Sequence, residues 1–277
     1  MQVGIVGLGL MGGSLGLALQ EVRHELGIKR ILGCDNNPLH AQMALSLGLV
    51  EECVDLHALQ HCAVVFLATP LDGIVKILQN FKPSLQTTII EIGSAKEQII
   101  HAIPQAIRPQ VVATHPMCGT EFYGPKAALK GLYQHKIVIF VDCEKSAPEH
   151  VERAKEIFSA LGMQLVKMDA ENHDAHIAFV SHLPHAISYA LANVVLSQKS
   201  PQTILSLAAG GFKDMSRLSK SSPVMWRSVF KQNKEQILKA MGVFLEEMDM
   251  LQDLLKNEKW DTLEEWMGRA NRLQEFM

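Results

Sequence analysis

Clustered basic residues are missing from this sequence, and so is any tail of one charge sign. Across 277 residues, 26 Lys and Arg stand against 29 Asp and Glu, a net charge of −3. A nucleic-acid surface needs grouped Lys and Arg to meet phosphates, so that class of partner is disfavoured. No C-x-x-C pair occurs. The five cysteines, Cys34, Cys53, Cys62, Cys118 and Cys143, are odd in number and scattered. That fits reduced thiols, not a disulfide framework or a zinc site. No apolar run reaches the ~20 residues of a membrane span. The glycine-rich start, MQVGIVGLGLMGGSLG, lacks the charged lead of a signal peptide. Internal repeats and low-complexity linkers are absent too. The expectation is a cytoplasmic protein that engages neither nucleic acid nor membrane. What is plentiful is apolar side chain, 48% of residues, ample for a large core and, at this length, for two domains.

Short β-branched runs alternate with helical patterns through residues 1–168. Strands are expected at 3–6, 31–34, 64–68, 87–92, 111–114, 136–141 and 164–168, with helices around 12–26, 38–47, 72–81, 96–103 and 148–161. This alternation predicts βαβ units and a largely parallel sheet. The unbroken apolar runs VVFLA and KIVIFV suit strands buried on both faces. From Asp169 onward the pattern is helical only. Asp169 is expected to cap a helix running to about Ser197, roughly 40 Å at ~1.5 Å per residue. Its middle, AISYALANVVL, is apolar nearly all round, which asks for cover by other helices or a second subunit. A second wide apolar stripe comprises Ile237, Ala240, Met241, Phe244, Leu245, Met248, Leu251 and Leu255. The expected architecture is α/β: a Rossmann-type sheet domain (1–168) followed by an all-helical domain (169–277) that forms a homodimer.

Gly7-Leu8-Gly9-Leu10-Met11-Gly12 follows the first expected strand and opens the first helix. Its glycines serve a tight turn, close approach of a pyrophosphate to backbone, and close helix–strand contact. The helix N-terminus offers unpaired N–H groups to phosphate. The second expected strand ends in Asp35, 23 residues after Gly12, placed to bind adenosine ribose hydroxyls and to repel a 2′-phosphate. NAD is the expected cofactor.

Three further loops leave the carboxyl ends of expected strands, where open parallel sheets bind ligands. One carries Thr69 and Pro70, beside the cofactor. The second is Gly93-Ser94-Ala95-Lys96, in which Ser94 reads either as a helix cap or as a catalytic hydroxyl. The third is Thr114-His115-Pro116-Met117-Cys118-Gly119-Thr120-Glu121. A substrate alcohol that loses hydride must also shed a proton, and neutral His115 is the natural acceptor.

In order, GLGLMGGSLG, DNNP, ATP, EIGSAK, HPMCGTEFYGP, SHLPHAISYAL, AAGGFKDMSRL and SSPVMW resemble the prephenate dehydrogenase family, which includes arogenate and cyclohexadienyl dehydrogenases. The resemblance covers nearly the whole chain. It implies NAD-dependent oxidative decarboxylation of prephenate to 4-hydroxyphenylpyruvate in tyrosine biosynthesis, or the same reaction on arogenate or on both substrates. It implies that His115 takes the ring-hydroxyl proton and that Ser94 contacts that hydroxyl and the imidazole. Arg217 would bind a substrate carboxylate, with His185 as a second contact. Glu121, Lys213, Asp214 and Trp226 would sit around the pocket. Lys213 stands where many relatives have Arg, and Ser222 where many have an acid. Neither a chorismate mutase segment before the core nor a regulatory domain after it is expected.

Spacing adds further expectations. Asp174, Ala178, Ser181 and His185 are 4, 3 and 4 residues apart, so a regular helix puts them on one face, a polar stripe suited to a ligand cleft. Pro184 should kink that helix and aim His185 inward. His173, Asp174, His176, His182 and His185 tempt a metal reading, but no metal is expected, because the chemistry needs no activated water. A dicarboxylate substrate needs a buried cation, and a two-pronged guanidinium such as Arg217 fits. The thirteen methionines, Trp260 and Trp266 read as packing residues. Two other readings compete. A β-hydroxyacid dehydrogenase would carry a catalytic Lys four residues before an Asn on the long helix, where this chain has His and Ser. A non-catalytic NAD-responsive protein would leave Ser94, His115 and Arg217 without a reason to converge.

Overall fold

A computed structural model describes residues 1–276. Eight strands form one sheet: β1 Gln2–Val6, β2 Arg30–Cys34, β3 Glu52–Cys53, β4 Val64–Leu67, β5 Thr88–Glu91, β6 Val111–Pro116, β7 Ile137–Val141 and β8 Gln164–Met168. Their order across the sheet is β3-β2-β1-β4-β5-β6-β7-β8. Every pairing is parallel except β6 with β7, where Thr114 faces Phe140 and His115 faces Ile139. The seven expected strands are all present. Only β3 escaped the sequence, because two residues show no period.

The helices α1 Leu10–Glu21, α2 Pro38–Ser46, α3 Leu71–Asn80, α4 Glu97–Ala102 and α5 Pro148–Ala160 make the crossovers. On one side of the sheet, Leu15 and Leu19 of α1 and Ile157 and Phe158 of α5 pack with Ile5, Phe66 and Phe140. On the other, Leu71, Ile74 and Leu78 of α3 and Ile99 of α4 pack with Val65, Leu67 and Ile89. All four residues of β4 are buried, as a strand covered on both faces must be.

After β8 the chain is helical: α6 Ala170–Ile177, α7 Leu183–Leu196, α8 Pro201–Ser206, α9 Gly210–Ser216, α10 Pro223–Gln232, α11 Lys234–Lys256 and α12 Trp260–Asn271. Asp169 caps α6 as expected, its side chain accepting from Asn172 N at 2.9 Å. Ser222, the departure from the family pattern, accepts from Met225 N as the cap of α10. The segment docks on the sheet: Ile177, Trp226 and Val229 join the core built by α3 and α4.

Two expectations fail here for physical reasons. Ala178–His182 is a single wide turn between α6 and α7, which inserts a residue into the helical count. The 4-3-4 spacing therefore does not hold Asp174, Ala178, Ser181 and His185 on one cleft-facing stripe; Asp174 and Ala178 are buried. Pro184 follows that wide turn directly, in the first turn of α7, where a missing N–H is harmless. Trp260 is not a packing residue within the chain either, being exposed, whereas Trp266 is half-buried and its indole N–H donates to Glu247 of α11.

Candidate active site

The cofactor edge follows from strand order. β1 pairs with β2 on one side and β4 on the other, so the connections reverse direction beside β1 and open a crevice at its carboxyl end. Gly7 turns there with φ +92°, and a Cβ on Gly12 would lie 1.8 Å from Gly7 O. Only glycine allows the loop and α1 to approach so closely. The N-terminus of α1, capped by Gly9, has no side-chain hydrogen bond. The nearest atom to a Cβ on Gly9 would be Gly124 N at 3.9 Å, so open space lies over unpaired N–H groups, as a pyrophosphate requires. Leu10 and Met11 begin the helix, and Met11 O is held by the Tyr133 hydroxyl at 2.8 Å. Asp35 accepts from Leu8 N at 2.8 Å and from Asn37 N at 2.9 Å, which fixes the carboxylate at the end of β2. His40 Nδ1 lies 3.8 Å from it, a neighbour the sequence reading missed. Thr69 and Pro70 lead from β4 into α3, and the backbone of Ala68 and Thr69 abuts Gly7.

His115 sits near the end of β6, three strands from β1, roughly 14 Å along the sheet edge at ~4.8 Å per strand. It is 8% exposed. Its Nδ1 lies 2.9 Å from His173 Nε2, and His173 Nδ1 lies 2.7 Å from Asp174 Oδ1. The partner of His115 Nδ1 is thus His173 and not Ser94, which is half-buried on the neighbouring loop. Ser94 is not the cap of α4 either. That role falls to Asp174, whose carboxylate accepts from Lys96 N at 2.8 Å and Glu97 N at 2.9 Å. Below the loop, Lys96 is wholly buried, donating to the Glu91 carboxylate and to Thr114 O.

Burial, with the charges of His173, Lys96 and His182, pushes the His115 imidazole well below the ordinary histidine range. Burial likewise lowers His173, against the opposing pull of Asp174. Burial lowers His182 to about 4; its Nδ1 faces the Asn233 amide at 3.0 Å. For Asp174, burial alone would raise the carboxyl, but hydrogen bonds from His173, Glu97 and Lys96 outweigh it and hold the group below its usual value.

The remaining residues form a second cluster. His185 stacks on Trp226, ring centres 3.5 Å apart, and its Nδ1 donates to Ser181 O at 2.9 Å. Arg217 donates to Glu121 at 2.9 Å and is close enough to lower His185 electrostatically, after burial. Arg217 is not the buried anchor expected from sequence: its side chain is 50% exposed, because it follows α9, which buries no residue. Lys213 and Asp214 on α9 are exposed as well. Trp226 is 6% exposed, with its indole N–H lacking a partner, so it is a wall of this cluster and not a residue at its rim.

With this geometry in place, comparison with known proteins is specific. Residues 16–167 match the prephenate dehydrogenase nucleotide-binding domain and 169–269 the prephenate dehydrogenase dimerization domain. The chain is 30% identical to the prephenate dehydrogenase of Bacillus subtilis, over 94% of this chain and 71% of that one. It is 26% identical to the cyclohexadienyl dehydrogenase of Zymomonas mobilis, over 98% and 94%. It also superimposes on the prephenate dehydrogenase of Aquifex aeolicus solved with hydroxyphenyl propionate and NAD+, at 30% identity and a TM-score of 0.90, over 99% and 97% of the two chains.

The buried histidines make stability depend on pH. The unfolded chain protonates His115, His173 and His182 near pH 6.5, whereas the folded protein resists until lower pH, about 4 for His182. Between those limits the unfolded state binds more protons, so stability falls as pH falls. Urea midpoints should drop across that window, and His182→Gln should flatten the slope by up to about 1.4 kcal/mol per pH unit. A midpoint that does not move with pH would show that these rings are not held neutral. By its sequence and its fold, this chain belongs to the prephenate dehydrogenase family.

Proposed function

We propose that this chain oxidises and decarboxylates prephenate to 4-hydroxyphenylpyruvate, with NAD accepting the hydride. The observation that carries the proposal is His115, a buried neutral imidazole on the cofactor edge of the sheet. NAD, when bound, supplies the hydride acceptor. Gly7, Leu8, Gly9, Leu10, Met11 and Gly12 would hold its pyrophosphate, Asp35 its adenosine ribose, and Thr69 and Pro70 its path toward β5. His115 Nε2 accepts the proton of the ring hydroxyl as hydride leaves the carbon bearing it, and Ser94 contacts the same hydroxyl. Arg217 grips a carboxylate, exchanging Glu121 for the substrate, while Lys213, His185 and Trp226 line the pocket. Loss of carbon dioxide creates an aromatic ring, so the protein mainly has to align the substrate and take one proton.

Arogenate, or both substrates, is the second reading, favoured by the cyclohexadienyl relative; it differs only in an amino group replacing the keto group. In either case residues 1–168 would serve the nucleotide and 169–277 the substrate and a second copy of the chain. Ala170–Leu196 is long and apolar enough by composition to cross a membrane, yet only 17% of its most apolar window is buried. His173 and Asp174 tie that helix to the sheet, so its bare face is better matched to a second protein chain. Val194, Leu196, Leu207, Leu245 and Met248 are exposed in the single chain, as in a core cut in half. The free cysteines suit the cytoplasm.

NADH absorbance with prephenate and with arogenate tests the reaction. His115→Asn should lower kcat by about 10²–10⁴-fold with little change in KM, since its bond to the proton strengthens in the transition state. Arg217→Ala should act mainly on KM, losing roughly 1.5–3 kcal/mol of a charge-assisted contact. Near-normal turnover by His115→Asn would place the base elsewhere. Light scattering should give twice the chain mass, and a monomer at micromolar concentration would contradict the homodimer.

A further inference from the structure

Behind His115 lies a polar chain that the assignment above leaves unused. The Asp174 carboxylate can only accept hydrogen bonds. At 2.7 Å from His173 Nδ1, it places the His173 proton on that nitrogen. His173 Nε2 is then a lone pair, and at 2.9 Å from His115 Nδ1 it can only receive. The proton of neutral His115 is therefore on Nδ1, and the lone pair on Nε2. Among the described residues nothing bonds to that Nε2, and it is not a sealed, unsatisfied atom. It is the open end of the chain.

Resting on the reading of His115 as the base, we propose that His173 and Asp174 are positioning residues that lock His115 in its Nδ1–H form and share the proton it takes from substrate. The balance is simple. The substrate O–H bond breaks as a bond forms to His115 Nε2; the Nδ1 proton moves to His173 Nε2; His115 is again neutral. One positive charge now rests on His173, against the Asp174 carboxylate. No group in this relay is oxidised or reduced.

The surroundings favour that destination. His115 faces His173 from α6, Lys96 from the start of α4 and His182 from the wide turn, all of which disfavour charge on it. His173 meets Lys96 and His176 too, but it alone has Asp174 as a direct partner. Lys96 is in turn neutralised by Glu91. His173 is wholly buried and Asp174 nearly so, so neither ring nor carboxylate is needed for solubility.

The test is a set of variants assayed for kcat, KM, NAD affinity and the pH profile of kcat. His173→Leu removes the acceptor; kcat should fall about 10²-fold with KM and NAD affinity nearly unchanged. The ascending limb, which reports protonation of the His115–His173 pair, should also move to lower pH, by about one unit, because without His173 the pair loses the Asp174 partner that stabilises its proton. His173→Gln offers an amide oxygen to His115 and an N–H to Asp174, so it should recover kcat to within about 10-fold of the unsubstituted protein. A His173→Leu variant with unchanged kcat and limb overturns the inference. So does a His173→Gln variant as slow as His173→Leu, or a loss confined to NAD binding and stability. His115→Asn run alongside separates the two readings: if it stays active, the base assignment itself fails, whereas an inactive His115→Asn beside a fully active His173→Leu removes only the dyad.

Discussion

The Asp174 carboxylate is the constraint on which the site depends. It lies on the helical segment, yet it accepts from the backbone of Lys96 and Glu97 on the sheet side and from the ring of its neighbour His173. Burying a carboxylate costs several kcal/mol unless its lone pairs are met; here three donors meet them. The exchange is mutual, because α4 has no cap of its own sequence and its first N–H groups would otherwise be orphaned. The backbone carbonyl of Asp174 is used as well, accepting from Asn233 at 2.8 Å, which brings the start of α11 to the same point. One residue thus fixes the helical segment to the sheet edge and sets the orientation of the histidine at that edge.

A second buried charge supports the first. Lys96, wholly enclosed, joins Glu91 of β5 to the Thr114 carbonyl of β6, while the other Glu91 oxygen accepts from Gly93 N at 2.9 Å. The loops bearing Ser94 and His115 are therefore clamped to each other from beneath. Such a pair contributes little net stability against an apolar alternative. What it supplies is a fixed distance between two strand ends, and a positive charge that helps keep His115 neutral.

The sheet was legible because its signals are local. Apolar runs of strand length, the glycine loop and Asp35 each state their geometry within a few residues, and His115 gains meaning from lying at a strand end. The rest was not, and the reasons are specific. Asp174 resembled a cleft residue by spacing, since nothing local reveals that its partners are N–H groups 77 and 78 residues away. His173 drew only a metal reading, because its value lies in touching His115 across 58 residues of chain. The wide turn at Ala178–His182 broke the helical count on which the stripe rested. Arg217 appeared buried because the chemistry asks for an enclosed cation, whereas the fold leaves it at the surface beside Glu121. Conversely, the capping of α6 by Asp169 and the free apolar faces of α7 and α11 were readable, being properties of single helices.

The most direct measurement is the protonation state of the His115 ring, read from two-bond proton–nitrogen correlations in protein labelled with ¹⁵N at histidine and assigned by comparison with His115→Asn. The account predicts a neutral ring at neutral pH, protonated at Nδ1 with a free lone pair on Nε2. It also predicts that this state persists on acidification well past the ordinary histidine range. A charged ring at neutral pH, or a proton on Nε2, would contradict it, since the site would then present no base to the substrate hydroxyl.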